Sequence, residues 1–154
     1  MTGYSHVEAL LGKLPGWLGL EISEHQDDAM IRVAPEKLHA AAQAMKDIGF
    51  DRLGFVTAVD YGDEFELVYR LTSRPHTAGA FLKTRISREE PSVESMCDLW
   101  EAANWQEREV WDMFGITFAG HPDLRRILLP EEWAGYPLRK DYNDPNIIRR
   151  PDYI

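Results

Sequence analysis

The chain has 154 residues, of which 44% are hydrophobic and 28% are charged. This length and composition are typical of one globular domain that buries a sizeable core. The net charge is −9, and the excess of acidic side chains lies within residues 1–120. An acidic body repels nucleic-acid phosphates and anionic lipids, so the charge argues against a nucleic-acid adaptor.

The cysteine content and the first residues bear on the compartment. The single cysteine, Cys97, cannot form an internal disulfide, and a reducing compartment is expected. The amino-terminal sequence lacks the basic segment and apolar run of a secretory signal, so export is not expected. No stretch approaches the roughly 20 apolar residues that a membrane-spanning helix needs. We therefore expect membrane association only through a partner.

The first third of the chain predicts a short helix, two strands and a longer helix. The short helix is expected at residues 5–12, and the alternation of residues 18–22 indicates a strand. A second strand is expected at residues 29–34. Pro35 suits the first turn of the longer helix, whose apolar residues recur every three or four positions up to a capping Gly49.

The middle of the chain predicts three strands. Residues 53–59 and 65–71 both alternate with a period of two, which indicates a hairpin. The same period assigns four residues of the first strand to one face: Leu53, Phe55, Thr57 and Val59. Residues 80–87 form a third strand, in which Lys83 and Arg85 are expected to face solvent.

A third helix is predicted from Pro91 to Gly115. Apolar residues fall on one of its faces at helical spacing, beginning with Val93, Met96 and Trp100. Helices and strands in this order predict an α+β fold, a two-layer mixed β-sheet with packed helices. We assign this body to residues 1–115.

Residues 116–154 form a tail of different character. Five prolines in this stretch are incompatible with a long helix or a central strand. The tail is nevertheless rich in large apolar residues, which disordered segments generally lack, and it also carries several arginines. We expect an extended, proline-punctuated tail that docks on another subunit, while the body folds alone. The expected anchors are Arg125, Arg126, Trp133, Tyr136, Arg139, Tyr142, Arg149, Arg150 and Tyr153.

Three motifs carry a family resemblance. The sequence Glu-Arg-Glu-x-x-Asp-Met-Phe-Gly occupies residues 107–115, Gly-His-Pro-Asp-Leu-Arg-Arg occupies 120–126, and Pro-Leu-Arg-Lys-Asp-Tyr occupies 137–142. Together they closely resemble the signature of the 30-kilodalton, C-type subunit family of NADH-quinone oxidoreductase. Related subunits of energy-converting hydrogenases share this signature.

The resemblance implies a role inside a larger complex. Subunits of this family lie in the hydrophilic arm, on the cytoplasmic face of bacterial membranes, and carry no cofactor of their own. FMN and iron-sulfur clusters belong to partner subunits. The expected partners are the quinone-site subunit of the D type and the iron-sulfur subunits of the B and I types. The alternative is the equivalent subunit of an energy-converting hydrogenase or a ferredoxin-linked complex.

The motif residues are the candidate interface. On a helix, Arg108 and Asp112 are four residues apart and can form an ion pair. The polar stripe that begins at Glu107 is then either solvated or in contact with a partner. With the resemblance we expect a partner contact made by twelve residues: Glu107, Arg108, Glu109, Asp112, His121, Asp123, Arg125, Arg126, Arg139, Lys140, Asp141 and Tyr142.

Catalytic and metal sites have little support in the sequence. A lone His121 before a proline is more typical of a hydrogen-bonded turn than of a metal ligand or a base. Glu107 and Glu109 diverge around a helix and cannot act on one substrate. No glycine-rich nucleotide motif occurs. An independent hydrolase built on His121 with Asp112 or Glu109 would need a nucleophile or metal that the sequence does not reveal.

Overall fold

A five-stranded mixed sheet is the centre of the computed structural model, which describes residues 3–26, 28–144, 146 and 148. The strands run in the order β1-β2-β5-β4-β3. Their bounds are β1 Glu21–His25, β2 Asp28–Arg32, β3 Arg52–Asp60, β4 Glu64–Ser73 and β5 Ala78–Ser87. Neighbouring strands are antiparallel except β2 and β5, which are parallel.

Three helices pack on one face of this sheet: α1 Gly3–Leu11, α2 Leu38–Asp47 and α3 Ala103–Phe114. Short 3-10 turns at Gly16–Leu18 and Pro35–Lys37 precede β1 and α2. Buried side chains of all three helices form one apolar cluster with the inward residues of β2 to β5. Helices on one side of a mixed sheet give two layers, which confirms the predicted α+β class. None of the helices in the described residues is long and apolar enough to cross a bilayer.

Most predicted elements are present with shifted ends. The hairpin β3–β4, strand β5 and helices α1 and α2 lie where the periodicity predicts them. The first strand is displaced, because Leu18 ends a 3-10 turn and β1 begins only at Glu21. Lys83 and Arg85 lie on the face of β5 opposite the core, as expected, whereas Leu82 and Thr84 are buried.

The predicted facing of β3 is wrong after its second residue. The register against β4 slips between Leu53 and Phe55, which marks a bulge around Gly54. Because one extra residue reverses the phase of a strand, Leu53 is buried while Phe55 and Val59 are exposed. Val56 and Ala58 fill the core positions instead.

The predicted helix from Pro91 to Gly115 is only half helix. Its first part is a strand, β6 Ser92–Glu94, which pairs in parallel with β7 Thr117–Ala119. A turn follows, in which the amides of Leu99 and Trp100 donate to the Met96 carbonyl. Helix α3 therefore begins at Ala103. The apolar residues expected on a helix face are buried, but pairing with a distant segment overrides their local helical spacing.

Candidate subunit interface

The segment after β7 lies along α3. Residues 120–142, called the strap below, contain no helix or strand. Hydrogen bonds from the strap reach α3 at Asp112, Met113 and Phe114. The polar face of α3 and the strap therefore form one structure, which is held together by hydrogen bonds of a few charged side chains.

Asp112 is the main attachment point. Its buried carboxylate accepts hydrogen bonds from three consecutive backbone amides, those of Ile127 (3.1 Å), Leu128 (2.7 Å) and Leu129 (3.0 Å). The Arg126 guanidinium donates to the other carboxylate oxygen at 2.7 Å. Burial alone would raise the pKa of Asp112, but these hydrogen bonds outweigh it and lower the pKa below its usual value. Within the described residues, these three amides have no backbone carbonyl as a partner, so the Asp112 carboxylate is the acceptor that closes the turn.

Arg126 connects the same turn to the next part of the strap. Its guanidinium also donates to the carbonyls of Trp133 (2.9 Å) and Gly135 (3.2 Å). The guanidinium carbon lies 5.4 Å from the centre of the Tyr136 ring and 5.8 Å from that of Trp111. The Arg126 guanidinium thus connects two turns through its hydrogen bonds, and its planar faces lie near the aromatic rings of Trp111 and Tyr136.

The expected Arg108–Asp112 ion pair does not form. Arg108 instead donates to two strap carbonyls, those of Arg125 (3.1 Å) and Arg126 (3.3 Å). Asp112 takes its charge partner from Arg126, fourteen residues along the chain. Helical spacing makes an Arg108–Asp112 pair possible. Without these two side chains, however, the backbone groups of the strap would lie unpaired against the helix, and leaving them unpaired costs more than losing the ion pair. Both side chains are buried within the chain.

Gly115 joins the end of α3 to the strap. It caps the helix in the left-handed conformation, with φ of 73°, and its amide donates to the Trp111 carbonyl. A Cβ atom here would lie 2.5 Å from the Tyr136 ring. Beside it, Arg139 Nε donates to the Phe114 carbonyl at 2.6 Å and the Leu138 amide donates to the Met113 carbonyl at 3.1 Å. The last carbonyls of the helix are therefore satisfied by the strap.

A second carboxylate ties the strap to the sheet. Asp60, the last residue of β3, forms a short ion pair with Arg88 and accepts the Lys140 amide at 2.8 Å. Arg88 also reaches Asp141 at 2.5 Å. The hydrogen bond from Arg88 is the main reason that the pKa of Asp60 is well below its usual value. Sequence reasoning missed both residues, since nothing in their local pattern links them to a segment more than fifty positions away.

Glu107 belongs to the interior rather than to a surface stripe. Its carboxylate accepts from the Ser95 hydroxyl at 2.6 Å and the Met96 amide at 2.7 Å. Burial raises the pKa of Glu107 above its usual value despite these bonds. The Glu107 carboxylate holds the turn that precedes α3 through these hydrogen bonds. Because its partners lie inside the chain, the side chain of Glu107 is fully buried.

Potential metal ligands meet at Glu107. Within the described residues, the only cluster of at least three such groups is Cys97, Glu107 and His121, whose ligand atoms lie within 4.8 Å of one another. His121 Nε2 donates to the Asn104 carbonyl at 3.0 Å, and Nδ1 accepts the Asp123 amide at 3.0 Å. Burial raises the pKa of the Cys97 thiol to about 11. Both ring nitrogens of His121 are therefore already hydrogen-bonded within the chain, which favours a packing role for this cluster.

The structure divides the twelve expected interface residues into two groups. Some lie inside the chain or are held against it by their own contacts: Glu107, Arg108, Asp112, His121, Arg126, Arg139 and Tyr142. The others are exposed: Glu109, Asp123, Arg125, Lys140 and Asp141. Arg149, Arg150 and Tyr153 lie outside the described residues. Contact of either group with a partner stays a prediction.

Exposed apolar side chains accompany the second group. Trp105 on α3 is 63% exposed, Leu128 is 61% and Leu138 is 55%, and Trp133 is also exposed. The strap therefore directs the guanidinium groups of Arg126 and Arg139 towards the body and leaves several large apolar groups outside, beside its exposed charged residues. Exposed apolar groups of this size are unusual in a solvated loop.

Comparison with known proteins identifies relatives over most of the chain. Residues 31–146 match the family model "Respiratory-chain NADH dehydrogenase, 30 Kd subunit". The C-type subunit of the NADH-quinone oxidoreductase of Moorella thermoacetica is 44% identical over 80% of this chain and 85% of its own. The corresponding C-type subunit of Trichlorobacter lovleyi is 42% identical over 88% of this chain and 86% of its own.

Solved structures agree with the sequence relatives. A trypsin-resistant fragment of Nqo5 superposes with a TM-score of 0.67 at 29% identity, covering 80% of this chain and 100% of the fragment. A chain of the membrane-bound sulfane sulfur reductase, an archaeal respiratory membrane complex, superposes with a TM-score of 0.80 at 28% identity, covering 100% of this chain and 97% of its own. With the match over residues 31–146, these likenesses show that the chain belongs to the respiratory-chain NADH dehydrogenase 30-kilodalton subunit family.

Proposed function

We propose that this chain is a non-catalytic structural subunit in the hydrophilic arm of a membrane-bound NADH-quinone oxidoreductase. It helps to hold together the subunits that carry electrons from NADH to quinone. FMN and iron-sulfur clusters belong to those neighbours, and this chain supplies none of their ligands. The complex places it on the cytoplasmic face of the membrane, next to the quinone-site subunit of the D type and the iron-sulfur subunits of the B and I types.

One observation carries the proposal. The strap is fastened to α3 by buried charged groups, yet Trp105, Leu128, Trp133 and Leu138 remain exposed along it. Interfaces between subunits favour aromatic residues at their centres, and burying such side chains is favourable by about 1.5–3 kcal/mol each. A rigid support that presents apolar groups suits a docking surface better than a reaction site.

The contacts of the candidate catalytic groups point the same way. His121 and Asp112 are each engaged in hydrogen bonds within the chain, and Glu109, the other carboxylate of the hydrolase hypothesis, is exposed on α3. A general base needs a free lone pair within reach of a substrate, and a nucleophile needs a neighbouring base. The independent hydrolase is therefore the weaker hypothesis.

A second candidate is the equivalent subunit of a complex that does not use NADH. The superposition on a chain of the membrane-bound sulfane sulfur reductase covers the whole of this chain, so the same fold also occurs in an archaeal respiratory membrane complex that is named for another reaction. Electron donor and acceptor are chosen by other subunits in either case. Identification of the proteins that co-purify with this chain separates the two candidates.

The test is affinity purification of the tagged full-length chain from detergent-solubilised native membranes. We expect flavin- and cluster-bearing subunits in the eluate. Trp105→Ser should lower their recovery severalfold, whereas Trp17→Ser should leave it unchanged. The two tryptophans are a matched pair, since each is 63% exposed and only Trp105 lies beside the strap. Recovery of the chain without cofactor-bearing proteins would contradict the proposal.

A further inference from the structure

The strap is ordered although it buries little of itself. No residue between 120 and 142 is fully buried, and none belongs to a helix or strand. Ordering a segment of this length costs conformational entropy, which apolar burial normally offsets. Polar attachments therefore have to supply most of the order. Asp112 holds the middle of the strap, so the last part, residues 136–142, depends on other contacts.

Four residues join this last part to the sheet and are called the clamp below: Asp60, Arg88, Lys140 and Asp141. Asp60 ends β3, and Arg88 directly follows β5. The Asp60 carboxylate accepts the amides of Gly62 and Lys140, both at 2.8 Å, and forms a short ion pair with Arg88. The other amino group of Arg88 donates to the Asp141 carboxylate at 2.5 Å. The end of the strap is thus fastened to the ends of two strands.

The Phe65 ring gives the clamp a fixed base. Phe65 is the cross-strand partner of Asp60 and is fully buried. The guanidinium carbons of Arg88 and Arg139 lie 5.0 and 5.2 Å from the centre of this ring. The ring of Phe114, the last residue of α3, packs edge-on against it at 6.0 Å. The two arginines that hold the end of the strap therefore share one aromatic side chain of the core.

Exposure separates the inner part of the clamp from its outer part. The side chain of Asp60 is 2% exposed, that of Arg88 is 16% exposed and that of Asp141 is 74% exposed. With its carboxylate this deeply buried, Asp60 cannot touch a partner subunit. Asp60 can contribute to docking only by placing the strap.

Leu138 is the apolar group that the clamp places. Its side chain is 55% exposed, and its amide donates to the Met113 carbonyl. Two residues later, the Lys140 amide is held by Asp60. These two bonds fix the backbone on both sides of the exposed side chain. An apolar group that is already ordered loses less entropy on binding than one on a mobile loop.

We propose that Asp60 and Arg88 are positioning residues of the docking surface, which order residues 136–142 before a partner subunit binds. This inference rests on the proposed function, because it needs the strap to be a docking surface. It assigns a role in assembly to two residues that lie outside the three family motifs. The clamp raises the affinity for the partner through preorganisation, and the body folds without it.

Arg85 provides a matched control on β5. Like Arg88, it contacts two carboxylates, those of Glu64 and Glu66, and its guanidinium lies near an aromatic ring, 4.8 Å from the centre of Tyr61. Within the described residues, its hydrogen bonds and ion pairs all go to β4 and none to the strap. Replacement of either arginine by glutamine removes the same charge, so the two variants differ in their effect on the strap.

Hydrogen–deuterium exchange of the full-length chain measures the order of the strap. Arg88→Gln should speed exchange in peptides covering residues 136–142 by about tenfold or more and leave peptides of β4 unchanged, because the lost bonds involve charged groups. Arg85→Gln should leave the strap peptides as they are in the unmodified chain. Unchanged strap exchange in Arg88→Gln, with the fold intact, would overturn the inference.

Recovery of the complex measures docking in the same variants. Arg88→Gln and Asp60→Asn should each lower the recovery of cofactor-bearing subunits severalfold, and Arg85→Gln should not. Because Asp60 is buried, its effect on assembly has to pass through the strap. Faster strap exchange with normal recovery in both variants would show that docking does not need a preordered strap, and the inference would be wrong.

Asp141→Asn is the milder variant, which decides if Arg88→Gln also speeds exchange in β4. The Asp141 carboxylate is exposed, and its loss leaves the pair of Asp60 and Arg88 in place. Strap exchange should rise by about two- to fivefold, as expected for one exposed ion pair, and recovery should fall with it. Unchanged exchange, or faster exchange with normal recovery, would contradict the inference. Failure of the unmodified chain to co-purify with cofactor-bearing subunits would instead overturn the proposed function.

Discussion

The sheet half of the molecule and the strap are stabilised by different forces. In the sheet half, Phe65, Leu67 and Leu82 are fully buried, and backbone ladders satisfy the strands. The strap has few backbone-to-backbone bonds and is held instead by carboxylates and guanidinium groups. Apolar packing is spread over many contacts, whereas each strap attachment depends on one or two polar atoms.

This difference predicts how each region fails. Loss of one methyl group in the sheet weakens the whole cooperative unit, since the core is shared. Loss of one carboxylate under the strap leaves several buried donors without acceptors and releases a defined segment. The strap also carries the exposed apolar groups, so its rigidity determines the shape of the proposed docking surface.

The largest effect is expected from Asp112→Ala. It removes the acceptor of three backbone amides and the charge partner of the Arg126 guanidinium, so we expect a loss of about 3–5 kcal/mol in the free energy of unfolding. Denaturant titration measures it. Glu109→Ala on the same helix is the control, because Glu109 is exposed, and should change stability by less than about 0.5 kcal/mol. Equal effects of the two substitutions would refute the special role of Asp112.

A core substitution of similar size should act differently. Leu67→Ala empties a fully buried position and should cost about 2–5 kcal/mol. Limited trypsin digestion separates the two lesions. Asp112→Ala should expose the bonds after Arg125 and Arg126 in otherwise folded protein, whereas Leu67→Ala should only accelerate global digestion. Early cleavage in the strap of Leu67→Ala would show that the two regions are not distinguishable in this way.

Substitution of Gly115 should have a smaller effect that still distinguishes packing from backbone strain. Gly115→Ala adds the left-handed conformational penalty and a clash with Tyr136. Gly120→Ala is matched, since its φ is 81° and a Cβ atom there meets nothing within 4 Å. We expect about 1–2 kcal/mol for Gly120→Ala and a further ~1–3 kcal/mol for Gly115→Ala. Identical melting temperatures of the two variants would mean that the Tyr136 ring moves away from the added Cβ atom at no measurable cost.

The smallest effect concerns pH. The pKa values of Asp112 and Asp60 are lowered in the folded chain, so their stabilisation is complete above about pH 4, the unfolded value, and is lost as pH falls further. Glu107 has the opposite sign, because its raised pKa makes the folded chain bind a proton more readily than the unfolded chain. Asp112→Asn should therefore flatten the acid loss of stability, and Glu107→Gln should steepen it. Urea midpoints measured between pH 6 and pH 3 give both slopes, and parallel slopes would contradict the assignment.

Local periodicity was sufficient for much of the fold. The period of two in β4 and β5 and the three- and four-residue spacing in α2 each reflect one buried face, and the structure buries those faces. The predictions failed where a distant segment intervened. The bulge at Gly54 reversed which residues of β3 face the core. Pairing with β7 made residues 92–94 a strand instead of part of a helix.

For the candidate site, the motifs indicated the right region but not its arrangement. Helical spacing suggested Arg108 with Asp112, whereas the structure pairs each of them with the strap. The partners of Asp60 and Arg88 could not be found locally, because Lys140 and Asp141 are many residues away.

The sequence by itself determined the α+β class, the main helices and strands, and membership of the family, because these depend on side-chain periodicity and on motifs that are contiguous in the chain. Only the tertiary structure decided which charged residues are interior, which backbone groups they satisfy and which apolar groups remain outside. Those choices depend on the desolvation of each polar group by segments far away in sequence, and a buried polar group must find its partner wherever the fold brings one.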